Sequence, residues 1–434
     1  MPTRRDFLHQ SALASAAAVG LPAVGPSLMD QQSESLPPSI AALQSMRNRA
    51  RPITVDERRG RVEKARRLMA ERSLDALMLT GGTSLMYFTG IRWGLSERLL
   101  AIVIPKSGRT FLVCPAFEEE RAREQVAAGP LQGEVDFMTW EEDQSPYALV
   151  ADGMRARGVS TGRLGIEETV RFVFSDGVRQ AAPGLTLSSG TPVTAGCRAV
   201  KDAHELELMR LASAVTLKAY EAAYQALTDG MTQDRFAELV SLAHRRLGFT
   251  GGAGVQVGEY SALPHGSVTP QTVREGTILL IDGGCAVEGY QSDISRTFVL
   301  GKPTDKMKRV FEIELRAQSA ALAAARPGVE CQAVDAAARK VITDAGFGPD
   351  YKHFTHRVGH GLGMDGHEWP YLVRGNRLPL APGMTFSDEP GIYLRGEFGV
   401  RLEDDMVITE DGAELLTPQS PSLEDPFGVL TETR

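Results

Sequence analysis

The chain has 434 residues, 42% of them apolar, with a formal net charge of −8 and a pI near 5.6. That length is on the scale of about two domains and is enough to bury sizeable cores. The acidic balance argues against a nucleic-acid partner, and no run of about 18 strongly apolar residues marks a membrane-spanning helix.

At the amino terminus, Thr3-Arg4-Arg5-Asp6-Phe7-Leu8 precedes a mildly apolar, alanine-rich stretch over 11–25. Paired arginines followed by Phe-Leu read as a twin-arginine export signal over residues 1–30, which predicts a periplasmic or secreted protein. No cysteine lies near a cleavage point, so no lipid anchor is expected. Residues 31–53, with Gln-Gln-Ser-Glu-Ser and Pro37-Pro38, form a linker. Thr54-Val55-Asp56-Glu57 is a capping box that opens a helix reaching about residue 72. Apolar runs at 76–79, 99–104 and 110–113 predict strands of an α/β domain over 54–195 that carries no ligand set of its own. The four cysteines (114, 197, 285 and 331) show no CxxC pairing and read as buried small apolar residues.

A second domain over 196–420, followed by a tail at 421–434, carries an internal repeat. Segments 219–249 and 317–347 align at an offset of 98, with Gly230 on Gly328 and Gly248 on Gly346. In each, an alanine-rich helix ends at a glycine cap, an amphipathic helix follows and another glycine ends it. A strand hairpin comes next in both halves. This predicts a pseudo-two-fold αα-ββ arrangement around one cleft. His204 and His244 fall on helix faces and are expected toward solvent, and His353 is expected to be structural.

The hairpins carry the chemistry. Five potential ligands sit in short segments: Asp282 and Asp293 in LLIDGGCAVEGYQSDISRTF, His360 in GHGLGMDGHEWP, Glu389 in GMTFSDEPGIY and Glu403 in GVRLEDD. If the first hairpin turns at Glu288-Gly289, Val287 faces Tyr290 and Gly284 faces Asp293. Asp282 then lies on the same face, diagonal to Asp293. In the second, strands over 384–393 and 399–408 flank a turn centred on Gly396, which puts Glu389 opposite Glu403. Like charges facing each other across a ladder are destabilising without a cation between them, and carboxylates within apolar runs are costly to bury unpaired. Four carboxylates and one imidazole suit a pair of hard-to-borderline divalent cations better than a tetrahedral structural zinc. The glycines around His360, and the absence of HExxH, argue against a zincin helix.

These segments resemble the pita-bread metallopeptidase family, in its Xaa-Pro dipeptidase (prolidase) and Xaa-Pro aminopeptidase branch, from about Arg198 to Thr417. Residues 61–192 resemble the creatinase/prolidase-type amino-terminal domain of that branch, most closely in RSLDALMLTGGTSLMYFTGI. The resemblance implies an α/β (α+β) chain, with that domain followed by a pita-bread domain. It implies that Asp282 chelates one metal, that Asp293 and Glu403 bridge both, and that His360 and Glu389 hold the other. It also implies active-site roles for His265, His356 and His367, places Arg401 beside Glu403, and suggests a homodimer or larger assembly. A water between two metals then attacks the scissile carbonyl. Glu389 is the candidate to pass its proton to the leaving nitrogen, and the histidines are candidates to stabilise the oxyanion or hold substrate.

The metal could be Mn, Co, Fe or Zn, and the carboxylate count leans to Mn. Cleavage before proline, of a dipeptide or a short peptide, is implied by the resemblance alone. A dipeptidase must grip a free carboxylate close to the cleaved bond, and Arg374 in PYLVRGNRLP is the expected clamp, with Arg401 a second substrate-side arginine. Relatives with this fold leave two other chemistries open, a sulfonium-compound lyase and a C–N hydrolase. A non-catalytic binding protein is disfavoured because no ligand is missing. Strand alternation turns Asp388, where the family often has an uncharged residue, away from the metals and onto the other face or a neighbouring subunit.

Overall fold

A computed structural model of the chain describes residues 36–428. The expected export signal and the last residues of the tail lie outside the described residues. From Pro38 onward the chain forms one compact unit.

Helix α1 (Val55–Glu71) starts at the expected capping box. Glu57 N–H donates to Thr54 Oγ at 3.2 Å, and Thr54 N–H donates to the Glu57 carboxylate at 2.6 Å. There follow β1 (Ala76–Thr80), α2 (Thr83–Thr89), β2 (Ala101–Pro105), β3 (Thr110–Pro115), α3 (Glu119–Ala127), β4 (Val135–Trp140), α4 (Pro146–Ala156), β5 (Gly162–Ile166), α5 (Phe172–Ala181), β6 (Leu185–Ser189) and α6 (Thr191–Arg198). The six strands form one mixed sheet in the order β4-β3-β2-β1-β5-β6. Its central strands β1, β2 and β3 are buried at every residue, which is why they read as unbroken apolar runs rather than alternating ones.

The remainder is built twice. The first half runs α7 (Ala203–Tyr224), α8 (Gln233–Leu247), β7 (Gly251–Val257), β8 (Ile278–Val287), β9 (Tyr290–Gln291) and β10 (Ile294–Val299). The second runs α9 (Asp305–Ala324), α10 (Cys331–Ile342), β11 (Gly359–Gly361), β12 (Glu368–Leu372), β13 (Thr385–Asp388), β14 (Gly391–Leu394), β15 (Phe398–Arg401) and β16 (Asp404–Ile408), with β17 (Ala413–Leu415) added at the edge. Each half is a helix pair, a short strand and a long antiparallel hairpin. Gly248 caps α8 in the left-handed region at φ 95°, and Gly346 holds the matching place at φ 92°. Gly230 and Gly328 are also left-handed but are not caps, because α7 and α9 already end at Tyr224 and Ala324. They turn the loops instead. Helices α7 and α8 pack on β8 and β7, and α9 and α10 on the second set of strands.

His244 corrects the expectation of a solvent-facing side chain. It is fully buried on the face of α8 that also carries Val240, Ala243 and Leu247, with Nδ1 2.9 Å from the Val240 carbonyl. His204 is half-buried between the Glu57 carboxylate at 2.7 Å and the Arg51 carbonyl at 3.0 Å.

Both hairpins hold the expected register. Glu288 and Gly289 take φ of 50° and 94°, the two positive values of a tight hairpin turn, and Val287 pairs with Tyr290. The same register carries Asp282 onto Ser295. In the second hairpin Leu394 pairs with Phe398, Gly391 with Arg401 and Asp388 with Asp404, which leaves Glu389 facing Glu403. The strands are not continuous, however. Ladders stop at Ser292-Asp293, at Glu389-Pro390 and at Leu402-Glu403, and in the second hairpin they resume in a different sheet. Pro390 has no N–H to give a ladder. Three of the four candidate carboxylates therefore sit at breaks, where the chain leaves one sheet for the next.

Candidate active site

The breaks converge on one cavity of about 360 Å³, lined by His265, Asp282, Asp293, Tyr351, His356, Arg357, His360, His367, Val373, Glu389, Arg401 and Glu403. His360 reaches it from β11, threaded between β12 and β13. A Cβ at Gly359 would lie 2.0 Å from the Ser387 carbonyl oxygen and one at Gly361 2.4 Å from that of Glu368, so glycine on both sides of His360 is a packing requirement.

Oxygen atoms of Asp282, Asp293 and Glu403 lie within 4.8 Å of one another, and so do ligand atoms of His360, Glu389 and Glu403. Glu403 belongs to both triads. Asp293 belongs to a further group with His360 and His367. His360 Nε2 is 3.3 Å from Glu389 and 3.8 Å from Asp293, while its Nδ1 is held 3.1 Å from the Gly361 carbonyl. Ser295 Oγ stands between two of the acids, 3.0 Å from Asp282 and 2.6 Å from Glu403.

Electrostatics set this cluster apart from a surface patch. Burial, then the carboxylates of Asp282, Asp405 and Glu389, push Asp293 well above the usual range. Burial followed by Asp293 does the same to Glu403, and burial raises Glu389 to about 7 against the opposing pull of Arg401. Burial lowers His360 to about 3, keeping it neutral and able to bind a cation. Protons are held here because negative charges crowd a desolvated space. A divalent cation relieves the same strain, so the donor set fits one.

Arg401 is fully committed. It pairs with Asp282 at 2.6 Å and donates to Ser295 Oγ at 2.9 Å, to the Pro264 carbonyl at 3.0 Å and to Tyr393 Oη at 3.1 Å. Its contacts are thus with the protein's own groups, Asp282 among them. His356 is likewise engaged at both nitrogens, with Nε2 2.8 Å from Tyr393 Oη and Nδ1 2.8 Å from the Arg357 carbonyl. His265 and His367 line the open side, and the His367 ring stacks on that of His360 at 3.6 Å between centroids.

The structure does not bring Arg374 to the site. Its guanidinium pairs with Asp350 at 2.9 Å and faces a separate groove over α10. Besides Arg401, the arginine that lines the cavity is Arg357, overlooked in the sequence although it follows His356. It lies over the Tyr371 ring, 4.1 Å from the centroid, and its Nη2 is 3.1 Å from His367 Nδ1. Among the described residues no carboxylate forms an ion pair with it.

Asp388 turns away from the cavity, as alternation requires, but into the interior rather than to a neighbouring subunit. It and Glu314 of α9 are fully buried, and neither carboxylate has a hydrogen-bond partner. Burial raises both well above the usual range. Above about pH 4 the unfolded chain releases the Glu314 proton while the folded chain keeps it, so this group costs stability increasingly as pH rises toward its folded value. Glu314→Gln removes that cost. In urea unfolding with chelator present, the variant gains on the wild type between pH 5 and pH 8 by about 1–3 kcal/mol. A gap independent of pH contradicts a neutral Glu314.

Known proteins agree with this architecture. The family profile of metallopeptidase family M24 matches residues 207–410, and that of the creatinase/prolidase N-terminal domain matches 61–200. A Xaa-Pro dipeptidase from Lactobacillus delbrueckii subsp. lactis is 33% identical over 372 residues, 84% of this chain and 98% of that protein. The crystal structure of dipeptidase PepE from Mycobacterium ulcerans superposes with a TM-score of 0.80 at 33% identity, over 86% of this chain and 99% of that one. Prolidase from Thermococcus sibiricus gives 0.76 at 28% identity, over 85% and 98%. Fold and site together define a metallopeptidase of pita-bread architecture that uses divalent metal. The chain belongs to metallopeptidase family M24.

Proposed function

We propose that this chain hydrolyses the Xaa-Pro bond of dipeptides with two divalent cations held by Asp282, Asp293, His360, Glu389 and Glu403. The observation that carries the two-cation reading is Glu403, shared by one all-carboxylate triad and one containing His360. Four carboxylates to one imidazole favour Mn. Held by these residues, such a pair would supply an acidified water as nucleophile at neutral pH and Lewis-acid polarisation of the scissile carbonyl.

The protein's own groups divide the remaining work. Arg401 and Ser295 hold Asp282 and Glu403 in place. His356 fixes Tyr393 Oη, which in turn touches Arg401. Glu389, at the edge of the cluster, carries the proton to the leaving proline nitrogen. His265 and His367, on the open side, donate to the substrate carbonyl as it gains charge. Arg357, with no carboxylate of its own, receives the carboxylate of the dipeptide. This replaces Arg374 in that role. On the arginine pair at Arg4-Arg5 we also place the enzyme outside the cytoplasm, exported folded; replacing both by lysine then keeps it inside the cell.

The test is hydrolysis of Ala-Pro and Ala-Pro-Ala by chelator-stripped protein reloaded with Mn. Faster cleavage of Ala-Pro is expected, and Arg357→Ala raises its KM by about 10–100-fold, with a smaller fall in kcat because Arg357 also contacts His367. Preference for the tripeptide makes the enzyme an aminopeptidase. Cleavage of neither, with metal bound, sinks the peptide-bond reading and brings forward a lyase or C–N hydrolase reaction at the same site.

A further inference from the structure

Eight residues between the two halves of the chain, Arg198-Ala-Val-Lys-Asp-Ala-His-Glu205, carry three charges that the metal cluster does not use and that are nonetheless buried: Arg198, Lys201 and Glu205, at 5%, 6% and 2% exposure. Charges are seldom left in such places without partners, and their partners lie on the elements that build the site.

Glu368, also buried, is gripped from two sides. Lys201 Nζ lies 2.6 Å from its Oε1, and Arg198 Nη2 pairs with its Oε2. The same guanidinium reaches Asp365 at 2.5 Å, and Thr83 of α2 donates to that carboxylate at 2.5 Å. Arg198 also contacts Ser84 Oγ at 3.4 Å. The loop running from His360 to His367 is thus fastened at its far end to the amino-terminal sheet domain. The fit leaves no slack: a Cβ at Gly363 would lie 2.3 Å from Glu368 Oε1 and 2.9 Å from Lys201 Cε. The backbone of the segment is tied in as well, with Lys201 N–H donating to the Gly383 carbonyl at 2.8 Å just before β13.

Glu368 opens β12 and His367 immediately precedes it; the first is buried and the second lines the cavity. His367 faces the cavity and stacks on His360; Glu368 faces inward to the two cations. Among the described residues, the hydrogen-bond and ring contacts of His367 are that stack and Arg357 Nη2 at 3.1 Å. We propose that Glu368, clamped by Arg198 and Lys201, is a positioning residue that sets where His367 meets the substrate, and that the amino-terminal domain contributes to turnover through this clamp. The proposal rests on His367 acting on substrate, as in the function proposed above. A displacement of about 1 Å at such a group is enough to cost much of its transition-state contribution.

A double-mutant cycle tests it. Glu368→Gln keeps the size of the side chain and removes its charge. Alone it is expected to lower kcat by about tenfold or more, with KM changed less than about threefold and bound metal unchanged. Added to His367→Ala it is expected to lower kcat by less than about twofold, because its effect passes through His367. Equal factors in both backgrounds, or an unchanged kcat in the single variant, overturn the proposal. If Glu368→Gln does not fold, Lys201→Met, which leaves Arg198 on the carboxylate, takes its place in the cycle. If the wild type cleaves no Xaa-Pro peptide, the function proposed above has failed and the clamp is read separately in metal-free protein. There the amides of residues 362–368 are expected to exchange at least about tenfold faster in Glu368→Gln than in wild type. Unchanged exchange overturns the clamp itself.

Discussion

Asp293→Ala and Glu403→Ala are each expected to lower hydrolysis by about 10³-fold or more and to release bound metal with it. Each of these acids belongs to two ligand groups, Asp293 with both Asp282 and His360, and Glu403 with both Asp282 and Glu389. Removing either is therefore expected to weaken both of the proposed cation positions at once. Asp388→Ala is the control, because its side chain is buried on the opposite side of the strand against α9, and its metal content is expected to match wild type. Elemental analysis after gel filtration reads both. An Asp293→Ala protein that retains two metals per chain shows that the ligand set is wrong.

Arg296→Met should have the second-largest effect, this time on stability. Arg296 and Asp404 are completely enclosed and paired at 2.7 Å. The guanidinium also donates to the carbonyls of Ser295, Glu403 and Pro418 at 3.0, 2.8 and 2.9 Å. Deleting the cation leaves the buried Asp404 charge without a counter-charge, although Gln318 and Thr417 still donate to it, and takes the donor from the Glu403 and Pro418 carbonyls, a loss of about 3–5 kcal/mol. Urea midpoints measure it. The double variant Arg296→Met, Asp404→Asn is expected to recover part of the loss, because the stranded charge goes too. Additive losses argue that the pair is not coupled. Since Arg296 anchors the backbone of both Ser295 and Glu403, weakened metal binding should accompany the instability.

Much of this was readable from residue order alone. The hairpin registers follow from Glu288-Gly289 and Gly396, because turn position and a period of two fix which side chains share a face. The capping box at Thr54 and the apolar runs at 76–79 and 110–113 were equally local signals. What residue order could not supply was depth and long-range partnership. His244 looks polar, but its place beside Val240, Ala243 and Leu247 puts it inside. Gly230 and Gly328 signal a left-handed turn without saying that the helix has ended earlier. The strand breaks at Asp293 and Glu403 have no proline to announce them, unlike the one at Glu389-Pro390. Arg374 and Arg357 both precede a glycine or follow a histidine in loops near the site, and only the folded chain distinguishes the one spent on Asp350 from the one facing the cavity. Ser295, which touches Asp282 and Glu403, and Tyr393, which touches Arg401, carry no motif; their signal is only that a polar group recurs within a buried strand.

The central claim is that catalysis needs two cations at these five side chains. Stepwise addition of Mn to chelator-stripped protein, with Ala-Pro cleavage followed at each step, tests it most directly. The account predicts no turnover before metal is added and a plateau at two equivalents per chain, with the metal sites of Glu403→Ala left unfilled over the same range. Full activity in stripped protein, or saturation at one equivalent, contradicts it.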